Sequence, residues 1–142
     1  MTRVDFYVLA ASSRGDRYTL ACRLAEKAWQ QGHRVYLHTA SEAESKHLDR
    51  LLWTFRDGSF LPHALLQEAD TALNPVLIGN DATAGTEHDV LVNLSPEVPD
   101  FFSRFERVVE PLDNSAGIRA AGRDRYRFYR DRGYPLNNHE IH

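Results

Sequence analysis

The sequence predicts an α/β fold: one domain over residues 1–142, built on a mostly parallel open sheet with helices on both faces. Short runs of β-branched and aromatic residues recur along the chain, each the length of a buried strand. Amphipathic helical segments mostly alternate with them, and that alternation implies parallel pairing with right-handed crossovers. No repeat, low-complexity tract or linker divides the 142 residues. A chain of this size buries roughly 68–70% of its unfolded surface, enough for a core without staples.

The elements follow in order. Val4-Asp5-Phe6-Tyr7-Val8-Leu9-Ala10 reads as a buried strand, and Ser12-Ser13-Arg14-Gly15-Asp16 as a loop. A helix then runs to about Gln31, with Ala21, Leu24, Ala25 and Ala28 facing the core and Gly32 as its stop. Arg34–His38 is a second strand. Ser41-Glu42-Ala43-Glu44 matches a capping box and opens a helix carrying Leu48, Leu51 and Leu52 to about Trp53. The stretch from Arg56 to His63 reads as irregular. Val76–Ile78 and Val90–Leu94 are short apolar strands, and the small polar residues Asn80–Thr86 between them read as a flexible connection. Pro99 can open a short helix through Phe102. Arg107-Val108-Val109 is a last strand before a basic helix.

Composition excludes several functions. One cysteine, Cys22, permits neither an internal disulfide nor a cysteine-based zinc site, and its place among apolar helix positions suits a buried thiol. No apolar run reaches the roughly 18 residues of a membrane span, and the N-terminus lacks a signal-peptide pattern, so a cytoplasmic protein is expected. The first strand-to-helix loop has one glycine, Gly15, so neither a dinucleotide fingerprint nor a phosphate-cradling loop is present. No glycine-flanked serine forms a nucleophile elbow. Asp5 and Asp16 lie near strand ends but lack a partner base or metal cluster, so a capping or loop role suits them better than catalysis. His139-Glu140-Ile141-His142 could chelate a metal weakly, but at a terminus it reads as a frayed tail. No catalytic residue, cofactor or metal is expected.

Two features remain. Residues 119–132 hold six arginines and two aspartates, a local charge of about +4 in a chain of −3. At roughly 100° per residue, Arg119, Arg123, Tyr126 and Arg130 share one stripe of that helix. Guanidinium forks beside an aromatic ring suit a ligand both anionic and hydrophobic; a solvated basic face is the plainer alternative. Arg125 falls on the core side with Ile118, Gly122 and Tyr129, which predicts a carboxylate or carbonyl partner. The second feature is Trp53 and Phe55 at a helix end, followed by Phe60-Leu61-Pro62-His63 in a loop. Large aromatics there either plug the domain's own edge or anchor an interface.

With these residues in view, the chain resembles the chi-subunit family of the bacterial DNA polymerase III holoenzyme over nearly its whole length. The specific carriers are Ser59-Phe60-Leu61-Pro62-His63 and the helix Arg123-Asp124-Arg125-Tyr126-Arg127-Phe128-Tyr129-Arg130. Phe6–Leu9, Leu52-Trp53, Asp89–Leu94 and Gly133-Tyr134-Pro135-Leu136-Asn137 support them. The resemblance implies a Rossmann-like, nucleotide-binding-like fold without nucleotide chemistry, in a non-catalytic, replisome-associated adaptor. It implies two partners. One is the C-terminal tail of single-stranded DNA-binding protein, an acidic segment ending in Ile-Pro-Phe, received by Arg119, Arg123, Tyr126, Arg130 and Asn138. The other is the psi subunit of the clamp loader, met by Trp53, Phe60 and Pro62 with Leu61 and His63 as neighbours, a surface that a repair helicase could share. Specific direct nucleic-acid binding is not expected, since the chain is acidic overall and Phe128 and Tyr129 point away from the arginine stripe. The alternative is a small α/β nucleotide-binding enzyme with a degenerate phosphate loop at Ser12–Asp16.

Overall fold

The computed structural model describes residues 1–10, 15–55, 61–65, 74–80 and 89–141. Seven strands form one sheet: β1 (Arg3–Leu9), β2 (Val35–His38), β3 (His63–Leu65), β4 (Val76–Gly79), β5 (Val90–Asn93), β6 (Arg107–Leu112) and β7 (Leu136–Ile141). Their spatial order is β3-β4-β2-β5-β6-β1-β7, and every described pairing is parallel. Three helices cover it: α1 (Arg17–Gln30), α2 (Glu42–Thr54) and α3 (Ala116–Asp131). The expected α/β class with a parallel open sheet therefore holds.

Strand alternation divides the core in two. On one face Ala21, Cys22, Ala25 and Ala28 of α1 and Leu48 and Leu52 of α2 pack on Val35, Leu37, Val90 and Val92. On the other, Val4, Phe6, Tyr36, Leu91 and Val108 meet Phe101, Phe102, Phe105 and Tyr129. Burial of Cys22 pushes its thiol up to about 12, so the cysteine is a core residue. Glu26 is buried as well, which the helical pattern did not anticipate.

Local chemistry sets the element ends. Asp16 caps α1, accepting from Thr19 N at 3.0 Å. Gly32, at φ +89°, turns the chain out of α1 while His33 N bonds Ala28 O. Ser41 Oγ accepts from Glu44 N at 3.2 Å, but Glu44 Oε1 reaches back to Ala40 N, one residue beyond the usual capping-box donor.

Four sequence expectations change. His63, assigned to the irregular stretch, begins β3, because it lies beside Val76 in parallel register. The last strand before α3 extends past Val109 to Leu112. Arg107 N donates to Asp89 O of the β5 side, so by alternation Pro111 faces that side too, beyond the last β5–β6 pair at Val109. The proline's missing N–H therefore costs no ladder bond. Of the terminal residues expected to fray, His139, Glu140 and Ile141 instead belong to β7, tied to β1 by Val4 N→Pro135 O and Ala10 N→Ile141 O. The short helix after Pro99 also shifts, to a 3-10 turn at Phe102–Arg104.

Candidate functional site

Helix α3 crosses the β1–β7 end of the sheet, and a cavity of about 240 Å³ lies between them. Its floor is apolar: Phe6 and Val8 of β1, Leu112 of β6 and Gly122 of α3. Phe6 and Val8 point there because β1 alternates, sending Asp5 and Tyr7 to the opposite face. Gly122 lets α3 come close; a Cβ there would stand 2.7 Å from a methyl of Leu112. The rim is polar and basic: Arg119, Arg123, Tyr126 and Asn138. The Tyr126 ring stands edge-on to Phe6, centroids 5.2 Å apart.

The rim residues are held differently. Arg119 is bound to its own protein, donating to Asp113 O at 2.9 Å, Leu9 O at 3.3 Å and Asn114 Oδ1 at 2.6 Å. Its guanidinium is therefore fixed at the mouth. Asn138 Nδ2 lies 3.5 Å from the Tyr126 hydroxyl, a contact reached from β7. Arg123 is exposed, and none of the hydrogen bonds or ion pairs among the described residues involves it. A guanidinium with no partner among the described residues, over an apolar floor and beside a fixed one, can take a carboxylate bidentately while the floor takes a hydrophobic group.

Arg130 does not join them. It shares their stripe but lies seven residues past Arg123, about 10.5 Å along the axis. Its guanidinium sits on Asp131 at 3.2 Å, away from the cavity lining. Arg130 therefore stands on the expected stripe but outside the cavity lining, because shared helical phase does not mean shared depth along the helix. Arg127 pairs with Asp124 at the surface. Arg125 turns inward, as its helical phase predicts, and meets Glu110 at 2.9 Å. Phe128 packs edge-on to Phe102, with the Arg132 guanidinium 3.7 Å from its ring centre, so neither ring nor charge is offered to the cavity.

The family model described as DNA polymerase III chi subunit, HolC, matches residues 1–137. The chain belongs to this family. A Pseudomonas aeruginosa protein named DNA polymerase III subunit chi is 48% identical over 99% of this chain and 98% of its own length. The Escherichia coli protein of the same name is 30% identical, over 96% of this chain and 97% of its own. The solved structure of T4 UvsW shares the fold, with a TM-score of 0.66 at 11% identity. It aligns with 99% of this chain and 41% of that one.

The second candidate surface in this chi-family chain lies at the end of α2. Trp53 is 65% exposed, its ring 4.7 Å from that of His63. His63 is itself buried, Nδ1 on Leu61 O at 2.7 Å and Nε2 on Asp49 O at 3.2 Å. Leu61 is buried too, and Pro62 half-buried. Of the two residues expected as neighbours of this surface, His63 packs against the Trp53 ring from a buried position and Leu61 lies in the core. The backbone of this segment turns inward to pair with β4 and takes their side chains with it. Phe60 lies outside the described residues, as do most of the expected phosphate loop, at 11–14, and most of the connection at 81–88.

Sequence reading found the rim of the cavity and missed its floor. Phe6, Val8, Leu112 and Gly122 looked like ordinary core positions, and only the crossing of α3 over β1 leaves a space between them. The glycine inside an otherwise strong helix was the one available signal.

Proposed function

We propose that this chi-family chain is a non-catalytic adaptor in DNA replication that binds an acidic, carboxyl-terminal peptide at the α3 cavity. The observation that carries this reading is the Arg123 guanidinium, without a partner among the described residues, at the rim of an apolar-floored cavity of about 240 Å³. The family resemblance supplies the ligand: the tail of single-stranded DNA-binding protein, with Arg119 and Arg123 on its carboxylates and its final phenylalanine on Phe6 and Leu112. Asn138 and Tyr126 close the rim, and Arg130 meets acidic residues further up the tail. The Trp53 surface serves the second partner, the psi subunit, with Pro62 beside it and Phe60 in the adjoining segment. Two modest contacts joined in one molecule act as a tether, because the second binding event is intramolecular.

A nucleotide-binding enzyme is less well supported. The crevice at the carboxyl ends of β2, β4 and β5, where α/β sheets hold ligands, is lined by Glu97 and Asp100, which repel a phosphate. Arg17, the nearest described cation after the Ser12–Asp16 loop, is occupied by Leu94 O and Glu44.

Anisotropy of a labelled acidic peptide ending in Ile-Pro-Phe tests the reading. Micromolar binding that is lost when the terminal phenylalanine is removed supports it. No binding by folded protein would discard it.

A further inference from the structure

Helix α3 holds the cavity rim, and its apolar contacts with the core come mostly from the half-buried Ile118, Tyr126 and Phe128, with Arg119 tied to Leu9 O and Asp113 O near its start. Between Ile118 and Tyr129 its fully buried residues are Gly122, which has no side chain, and Arg125, which is charged. Apolar packing is non-directional, and a glycine offers little of it. A helix rotated by about 20° about its own axis would carry an atom on its outer radius about 2 Å sideways. That is enough to take Arg123 and Tyr126 off the cavity.

The contacts at Arg125 are directional. Arg125 Nε donates to Glu110 Oε1 at 2.9 Å, and its Nη1 donates to Pro96 O at 3.0 Å. Glu110, fully buried on β6, also accepts from Asn93 Nδ2 of β5 at 3.0 Å and from the Tyr129 hydroxyl at 2.8 Å. One turn apart on α3, Arg125 and Tyr129 thus grip the two oxygens of a single carboxylate, which sets both rotation and height. Asn93 is itself fixed, its Oδ1 accepting from Ser95 N and Oγ. The arrangement is an unusual use of a core. Burial pushes the Glu110 carboxyl up, against the Arg125 charge and the hydrogen bonds from Asn93, Tyr129 and Arg125. Well-packed apolar side chains of similar volume would hold such an interior as well or better.

We propose that Glu110, Arg125 and Tyr129 are positioning residues for the α3 cavity, aiming Arg123 and Tyr126 at the bound peptide rather than supplying fold stability. The inference rests on the peptide-binding reading above for its functional consequence. The displacement of α3 that it requires can be measured without any ligand.

The test replaces the network with apolar groups, Glu110→Leu, Arg125→Met and Tyr129→Phe together, in the full chain. The expected result is a melting temperature within a few degrees of wild type, a crystal structure with α3 rotated or translated, and affinity for the Ile-Pro-Phe peptide about tenfold weaker. Adding Arg123→Ala to this variant should change affinity little, whereas in wild type it should cost about fivefold or more; a merely structural role would leave the two effects additive. Wild-type affinity in a folded triple variant, or α3 unmoved, overturns the proposal. Should the triple variant not fold, Arg125→Lys keeps the charge beside Glu110 but cannot span Glu110 and Pro96. An unchanged affinity there overturns the proposal equally. Failure of wild type to bind the peptide removes the functional reading instead, and α3 movement in the variant would still report the positioning role.

Discussion

On the proposed function, Arg123 is the residue on which binding depends most. It is the rim cation with no partner among the described residues, so replacing it should leave the fold intact and remove a charged hydrogen bond from the proposed peptide. Arg123→Ala is expected to weaken the tail peptide by roughly 1–3 kcal/mol, read as anisotropy against an unchanged melting curve. Arg119→Ala is a different experiment, since that side chain also ties α3 to Leu9 and Asp113. Gly122 tests the floor. A methyl there meets Leu112 at 2.7 and 2.9 Å, so Leu112, which lines the cavity, or the helix itself must shift. The helix gains about 1 kcal/mol of propensity against an overpacking cost of about 1–3 kcal/mol. Stability should therefore shift modestly while peptide binding falls clearly. Unimpaired binding by Gly122→Ala would mean that the apolar space is not where the peptide's hydrophobic end goes. Trp53 is mostly exposed and rests on a buried histidine. Trp53→Ala should move stability by no more than about 0.5 kcal/mol and leave the tail affinity unchanged, while weakening the second partner.

Among the elements, β7 and α3 show opposite relations between sequence and structure. The α3 periodicity placed Arg125 inward and Arg123 outward, and both are found so, because helical phase is local arithmetic. The β7 sequence Leu-Asn-Asn-His-Glu-Ile carries no strand pattern, and four of its six residues are exposed. It is a strand because β1 offers an unpaired edge and because Asp5 and Tyr7 hold His139. The His139 ring lies 3.1 Å from Asp5 Oδ1 and stacks on Tyr7 at 4.4 Å. Gly133, at φ +78°, makes the turn from α3 into that strand. Burial alone would raise the Asp5 carboxyl, but hydrogen bonds from Arg107 and His139 and the charges of Arg107 and Arg3 outweigh it and hold the group low. A depressed carboxylate contributes stability that is complete above its unfolded value and lost as pH falls through its folded one. The stability gap between wild type and Asp5→Asn should therefore widen from about pH 2 to about pH 6, measured by denaturant unfolding. A gap independent of pH would mean that the cluster does not couple to folding.

For the whole molecule the charge distribution matters more than the net charge. A chain of −3 carries about +4 on residues 119–132, so the remainder sums to about −7. An acidic peptide is repelled by most of this surface and attracted by one helix, which favours oriented encounter. Peptide affinity should fall steeply as salt rises past physiological strength, where screening acts within about 8 Å. The Trp53 contact, resting on an aromatic surface, should respond weakly. Equal salt dependence at both surfaces would show that the α3 charges do not distinguish the ligands. The two surfaces occupy separate parts of the sheet: α3 spans the β1–β7 end and Trp53 stands beside β3 at the other.

The sequence by itself determined the α/β class, the caps of α1 and α2, the phase of α3 and the rim arginines. Each depends on residues a few positions apart, through spacing, capping chemistry or charge. The tertiary structure decided β7, the burial of Leu61 and His63, the separation of Arg130 from the cavity, and the cavity floor. Each of these depends on which distant segment arrives alongside. Glu110 belongs to both accounts: the phase of α3 called for a carboxylate or carbonyl partner to Arg125, and only the packing of α3 on β6 chose this carboxylate. Side-chain period is a property of one element, whereas a cavity is a property of the gap between two, set by the angle and height at which they pack.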